Sequence, residues 1–335
     1  MREVGGMKYG LLTYKYPGQE GYRPKYVNIG DYIQSIAARQ FLPSVDVLID
    51  RDSVASYSGE PIKLIMNGWW HLYEGNEVTS DAITPLYVAY HIANPESLTS
   101  KTVDHLKKHA PIGCRDLATM NFLQDNGVEA YLSSCLTLTL GKTYYVPENE
   151  RTNTVYFVDC DVLDTETPGW RSRIKWWIKR CLARTAGQTN PALTEKLKRR
   201  TLELIGDRLH NAHIEKRKHY CCCYSMSLGD DVKFQIADQL LRDYSKAKLV
   251  VTSRLHCALP VLSMGVPVLF VGMNLDDKRY AGALDWVSQI GLDQQKNFVE
   301  RLSILPKVDL FPPPMKAHSD QLIKQCQQFV SSPIQ

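Results

Sequence analysis

The stretch Ala247 to Thr252, with the apolar run Leu249-Val250-Val251 at its centre, ends in Ser253-Arg254-Leu255-His256, and a second apolar run, Val266 to Val271, follows a stretch long enough for a helix. Apolar runs without polar alternation suit strands covered on both faces, as the inner strands of parallel sheets are. Parallel neighbours need a crossover, so the unit reads strand, helix, strand. The first half repeats this rhythm: an extended Lys8 to Tyr16, a helix from Asp31 to about Phe41, and apolar runs at Val45 to Ile49 and Ile62 to Met66. It continues with an extended Pro85 to Ile92, a helix near Ser100 to His109, a short strand Pro111 to Cys114, a helix Asp116 to Asn126 and a strand Val128 to Leu132. Asp116 is placed to cap the last helix and Gly127 to end it. The pattern predicts an α/β fold with mostly parallel sheets.

At 335 residues the chain exceeds most single hydrophobic cores, so two domains are expected. The polar segment Thr143 to Thr152 reads as the linker, giving a first domain over 1–145 and a second over 152–315. The second opens with a strand, Asn153 to Cys160, and carries an amphipathic helix, Asp230 to Tyr244, ahead of the Ala247 strand. Between them, residues 165–217 read as a basic, helical insertion belonging to neither sheet. After the prolines at 312–314, helical periodicity from Ser319 to Val330 predicts a last helix, over 318–331, returning to the first domain.

No segment has the roughly 18 consecutive apolar residues of a membrane-spanning helix, and Met1 to Gly10 lacks the apolar core of a signal peptide, so a cytoplasmic location is expected. The net charge of +4 is too small to imply nucleic acid and is compatible with an anionic substrate. Nine cysteines, an odd count, include Cys160 in an apolar run and the consecutive Cys221, Cys222 and Cys223. Alternate side chains of a strand face opposite ways, so these three do not suit one metal; reduced thiols in strands are expected. Asp159 and Asp161 read as ordinary loop polarity, and no obligatory metal is expected.

The end of the Ala247 strand carries the strongest chemical signal. Open α/β sheets bind ligands beyond the carboxyl ends of their strands, where a following helix aims N–H groups and partial positive charge at an anion. Arg254 adds a fork for phosphate or carboxylate, and His256 titrates near neutrality. The alternative pairs Arg254 with a structural carboxylate and packs His256 against its helix. Pro260 removes the usual partner of the His256 carbonyl, so a kink or delayed helix start is expected. Arg115, in Gly113-Cys114-Arg115-Asp116, occupies a similar strand-to-helix junction and either reaches an anion across the cleft or pairs with a neighbouring acid. Asn28-Ile29-Gly30-Asp31 opens the first helix, with Asp31 either its cap or a contact to a sugar hydroxyl. Asn67, Trp69 and Trp70 end an apolar strand, where indoles either stack on a sugar or pack under loops. Residues 170–184 mix basic and tryptophan side chains without an acid; they suit either a solvated helix or a surface of anionic lipid. No GxGxxG or GxxxxGK[ST] loop is present.

Taken together, Asn28-Ile-Gly-Asp-Tyr-Ile-Gln-Ser, Asn67-Gly-Trp-Trp, Gly113-Cys-Arg-Asp and above all Thr252-Ser-Arg-Leu-His-Cys-Ala-Leu-Pro resemble the polysaccharide pyruvyl transferase family. The resemblance implies two Rossmann-like domains facing a cleft, as in GT-B glycosyltransferases. It implies phosphoenolpyruvate as co-substrate and a saccharide acceptor, lipid-linked in some settings, in bacterial exopolysaccharide or cell-wall polymer assembly. His256 and Arg254 are then the catalytic candidates. Arg254, Ser253, Arg115 and His219 are candidates for donor binding, and Asn28, Asp31, Asn67, Trp69 and Trp70 for acceptor binding. One stretch departs from the family: where relatives often place a Thr-His pair before the Asp230 helix, this chain has Tyr220-Cys-Cys-Cys-Tyr-Ser, so either His219 substitutes or the donor site differs. A glycosyltransferase using a nucleotide sugar and a non-catalytic polysaccharide-binding scaffold are the alternatives.

Overall fold

The computed structural model describes residues 7–15, 27–70, 78–160, 191–221, 228–302 and 313–333. In the first half these residues form strands β1 (Lys8–Thr13), β2 (Val27–Asn28), β3 (Val47–Asp50), β4 (Ile62–Trp70), β5 (Ile83–Ile92), β6 (Ile112–Cys114) and β7 (Ala130–Leu132). Six of them make a sheet in the order β3-β1-β4-β5-β6-β7, in which every neighbouring pair is parallel. Helices α1 (Ile29–Arg39), α2 (Ser100–Lys108) and α3 (Leu117–Asp125) join them, and a short α4 (Gly141–Tyr144) leads out of the sheet.

The second half contributes β8 (Thr154–Val158), α5 (Pro191–Leu209), β9 (His213–Arg217), β10 (Tyr220–Cys221), α6 (Asp230–Ser245), β11 (Leu249–Thr252), α7 (Leu255–Ser263), β12 (Val268–Gly272), β13 (Ser288–Leu292) and β14 (Phe298–Arg301). Its sheet runs β14-β13-β12-β11-β8-β9, parallel except for the β13–β14 pair. Successive side chains of a strand face opposite ways. Leu249 and Val251 of β11 therefore pack with Leu197 and Ile205 of α5 on one face, while Val250 joins the core shared with α6 and α7 on the other. The expected α/β class, with two mostly parallel sheets, is what the chain adopts.

Several local expectations are corrected. The segment assigned to neither sheet supplies both α5, which covers one face of the second sheet, and the edge strand β9; residues 165–190 lie outside the described residues. The helix expected at Asp31 starts at Ile29 and is capped by Asn28, whose side chain accepts from Gly30 N at 3.1 Å. The last helix, α8 (Pro313–Ser331), begins at Pro313 instead of after the prolines, because proline fits a first turn whose N–H groups have no intrahelical partner. Strands β13 and β14 were not anticipated. β10 joins neither large sheet: it crosses to pair antiparallel with β2, Tyr220 opposite Asn28 and Cys221 opposite Val27. Of the other cysteines in that stretch, Cys222 and Cys223 lie outside the described residues, whereas Cys114, Cys135, Cys160, Cys257 and Cys326 are free and buried.

α8 lies against the first half, where Tyr9 donates to Val330 O at 3.1 Å and Ser319 to Leu138 O at 3.1 Å. Among the described residues, no helix is long and apolar enough to cross a membrane.

Candidate active site

The carboxyl ends of strands from both sheets converge on a cavity of about 360 Å³ lined by Asn28, Trp69, Arg115, His219, Ser253, Arg254 and His256 together with Gly30, Leu255, Arg279 and Tyr280. Two larger hollows, about 510 Å³ beside Leu48 and Asp238 and about 580 Å³ beside Lys63 and His105, lie away from these strand ends. The smaller cavity concentrates the chemistry. Strand β6 delivers Arg115, β4 delivers Trp69, and β11 delivers Ser253 and Arg254. The β2–β10 crossing places Asn28 beside His219, whose backbone oxygen accepts from Ile29 N at 2.9 Å.

Helix α7 begins at the cavity and kinks there. Arg254 occupies its N-cap position and His256 is non-helical (φ −81°, ψ 15°), with Pro260 one turn on. Proline cannot donate to the His256 carbonyl, which accounts for the break. The break also brings His256 against the first turn of α1: a Cβ on Gly30 would stand 3.2 Å from His256 Cβ and 3.4 Å from Nδ1. A side chain at position 30 would crowd the ring by a few tenths of an ångström. The N-termini of α1 and α7 thus meet at the cavity, and both favour an anion between them.

Among the described residues, three guanidinium groups border this space. Arg115 is buried, its Nη1 lies 3.4 Å from His256 Nε2, and its Nε is 3.7 Å from Asp116 and makes no hydrogen bond among the described residues. Asp116 also accepts from Thr119 N at 3.0 Å as the cap of α3 and lies 2.5 Å from His91 Nδ1. Arg254 donates from Nε to Asp159 at 2.7 Å, while Ser253 donates to the Asp159 carbonyl at 2.7 Å. Arg279, in the loop after β12, is held by both carboxylate oxygens of Asp277 at 2.9 and 2.5 Å, and lies 5.7 Å from the Trp69 ring centre and 5.6 Å from that of Tyr280. Its loop also touches the first half, where Leu117 N donates to Ala281 O at 3.2 Å.

Among these cations the histidines are held neutral. Burial first, then Arg115, with His219, His91 and Arg279 adding to it, pushes His256 well below the ordinary imidazole range. Burial, reinforced by Arg115, lowers His91 to about 4. Burial likewise lowers His219 to about 4; its Nε2 meets the Tyr244 hydroxyl at 2.9 Å, and its Nδ1 has no hydrogen-bond partner among the described residues. A pocket with this charge is arranged to receive an anion beside a neutral imidazole.

Other sequence candidates fall outside the cavity wall. Asp31 is buried, accepts from Gln34 Nε2 at 3.2 Å and projects its charge onto Arg51 and Tyr14 inside the first half. Asn67 is buried and donates to Gln34 O at 2.9 Å. Trp70 points to the opposite face of β4 from Trp69, stacks on Tyr90 and donates to Asn67 O at 3.2 Å, so it is a core side chain. Sequence reading missed Arg279, Tyr280, His91 and Asp159. Arg279 and Tyr280 lie in a loop without a local motif. Asp159 was visible, as a carboxylate ending a strand, but not its partners. Among the described residues, no group of three or more histidine, cysteine or acidic side chains is placed to hold a metal.

A sequence model described as polysaccharide pyruvyl transferase matches residues 28–274, from the cap of α1 to the loop after β12. None of the curated proteins compared matches the chain. The match covers most of the chain, which belongs to the polysaccharide pyruvyl transferase family and is a transferase.

Proposed function

We propose that this family member transfers the pyruvyl group of phosphoenolpyruvate to two hydroxyls of one saccharide unit, closing a pyruvate ketal during bacterial exopolysaccharide or cell-wall polymer assembly. The observation that carries the reading is the convergence of Arg115, Arg254 and Arg279 around a neutral His256 at the ends of two sheets. Phosphoenolpyruvate brings a phosphate and a carboxylate on one small carbon frame. Two guanidinium forks and two helix N-termini suit those groups.

The donor's negative charge opposes the field of the arginines, so His256 gains a proton as the donor enters. His256 then gives that proton to the methylene carbon, which becomes a methyl group, and charge develops at the neighbouring carbon. One sugar hydroxyl adds at that carbon and loses its proton. The second hydroxyl adds at the same carbon as the C–O bond to phosphate breaks and gives its proton to the departing phosphate, so one phosphate leaves per ketal formed. Arg254 and Arg115 hold the donor's anionic groups and stabilise charge as it shifts onto phosphate. Asn28 and the edge of Trp69 remain the acceptor side of the site. Asp31, Asn67 and Trp70 act behind it, through packing.

Saturation binding separates this donor class from nucleotide sugars. Phosphoenolpyruvate and inorganic phosphate are expected to compete for one site, with a nucleotide sugar displacing neither; displacement by the nucleotide sugar alone contradicts the reading. Peripheral contact with anionic lipid through residues 170–184, which lie outside the described residues, rests on their composition. Co-sedimentation with anionic vesicles at low salt, lost at high salt, tests it; no binding at low salt removes it.

A further inference from the structure

We propose that Asp159 is a positioning residue of the donor site, fixing Arg254 and His219 in the geometry in which they meet the donor anion. The inference rests on the reading of that site as the donor's. Asp159 ends β8 beside the end of β11 and adopts a left-handed backbone (φ +52°), a conformation uncommon for residues with a side chain. Its carboxylate is almost completely buried and accepts from Arg254 Nε at 2.7 Å and from the backbone N–H of His219 at 3.1 Å. Its carbonyl accepts from the Ser253 hydroxyl at 2.7 Å, and its own N–H donates to Arg217 O at 3.0 Å. Three cavity-lining residues from two chain segments are therefore joined through one side chain and its backbone.

The chemistry follows from which atom of Arg254 is held. A guanidinium tied at Nε cannot swing freely about its side-chain axis, so the plane of its fork is set before an anion arrives. Prior orientation of this kind lowers the cost of binding. The same carboxylate fixes the backbone of His219, whose ring is held at its other end by Tyr244. The left-handed turn at Asp159 aims both its carboxylate and its carbonyl at the β11 end.

Replacing Asp159 with asparagine keeps the size of the side chain and an oxygen for the His219 N–H, but removes the charge opposite Arg254. The expected result for Asp159→Asn is a donor KM raised about 10- to 100-fold with kcat changed less than about threefold, the range for losing a hydrogen bond to a charged group. Asp159→Asn combined with Arg254→Gln should weaken donor binding no more than Arg254→Gln alone, since both act through one contact. Asp159→Gly, which accepts the left-handed backbone without strain, should fold and show the same KM defect. An unchanged donor KM in folded Asp159→Asn, or full additivity with Arg254→Gln, overturns the proposal.

Calorimetric titration with inorganic phosphate keeps this test separate from the reaction itself. If the chain transfers no pyruvyl group yet phosphate binds about tenfold or more weakly to Asp159→Asn, the positioning role stands and the donor reading fails. Equal phosphate affinity in the wild type and Asp159→Asn overturns the positioning role whatever the activity.

Discussion

Nη1 of Arg115, at the end of a strand in the first sheet, lies 3.4 Å from Nε2 of His256, which follows a strand of the second. A guanidinium only donates hydrogen bonds, so Nε2 presents its lone pair and the imidazole proton resides on Nδ1. The two halves of the molecule thus meet at a hydrogen bond that keeps the proposed acid unprotonated until something replaces it. A donor phosphate or carboxylate that takes Arg115 Nη1 frees Nε2 and supplies the negative charge that favours its protonation.

Histidine-selective NMR tests this directly. In the free protein the His256 resonance should show no titration between pH 8 and pH 6, because its pKa is held well below 6.5 by burial and by Arg115. Saturation with inorganic phosphate should raise that pKa by about one unit or more, and His256→Asn should remove the signal. In turnover, kcat should fall as pH rises through the raised value. A free His256 titrating at 6.5, unmoved by phosphate, contradicts the arrangement.

The three arginines should separate kinetically. Arg254→Ala is expected to raise donor KM by about 10- to 100-fold, the loss of a charge-assisted contact. Arg115→Gln should do the same and also lift the free-state pKa of His256 toward 6.5, since the nearest cation is gone. Arg279→Gln should raise KM without moving the His256 pKa as far, because Arg279 contributes less to its depression. Steady-state kinetics with parallel NMR titrations checks all three.

Trp69 and Trp70 occupy opposite faces of β4 and should behave as different kinds of residue. Trp70→Ala is expected to destabilise the fold by about 3–5 kcal/mol, as for other large core truncations. Trp69→Ala should cost little stability and raise the KM for the saccharide, while Trp69→Phe retains activity. Urea denaturation and acceptor titration distinguish the two; equal loss of stability at both positions contradicts the assignment.

Acid should weaken the fold through His219. Its folded-state pKa is lowered to about 4 by burial, whereas an unfolded histidine titrates near 6.5. The stability is fully present above pH 6.5 and is lost as pH falls toward 4, by about 3 kcal/mol for this one group. Urea unfolding across that window should show the decline, and His219→Gln should reduce its slope by about one proton. A pH-independent stability between 6.5 and 4 in the wild type contradicts a neutral, buried His219.

Much of this was legible in the sequence because buried parallel strands are written as continuous apolar runs and their ends carry the polar residues. The run from Ala247 to Val271 identified β11, α7 and β12, and Pro260 marked the kink beside His256. What the sequence withheld depends on distant pairing. Cys221 to Cys223 read only as strand residues, with no partner strand named, yet Tyr220–Cys221 crosses to β2 and thereby seats Asn28 beside His219. Asp159 looked like ordinary loop polarity because its partners lie far along the chain. Asp31 and Trp70 share motifs with cavity residues, but helix phase and strand alternation turn them inward.

The most direct measurement follows carbon-labelled phosphoenolpyruvate incubated with the protein and candidate saccharides. The expected result is label in an acid-labile ketal on the saccharide, one phosphate released per label transferred, and loss of both with His256→Asn of unchanged fold. Phosphate release without labelled saccharide, or transfer that survives in His256→Asn, contradicts the reaction assigned to this site.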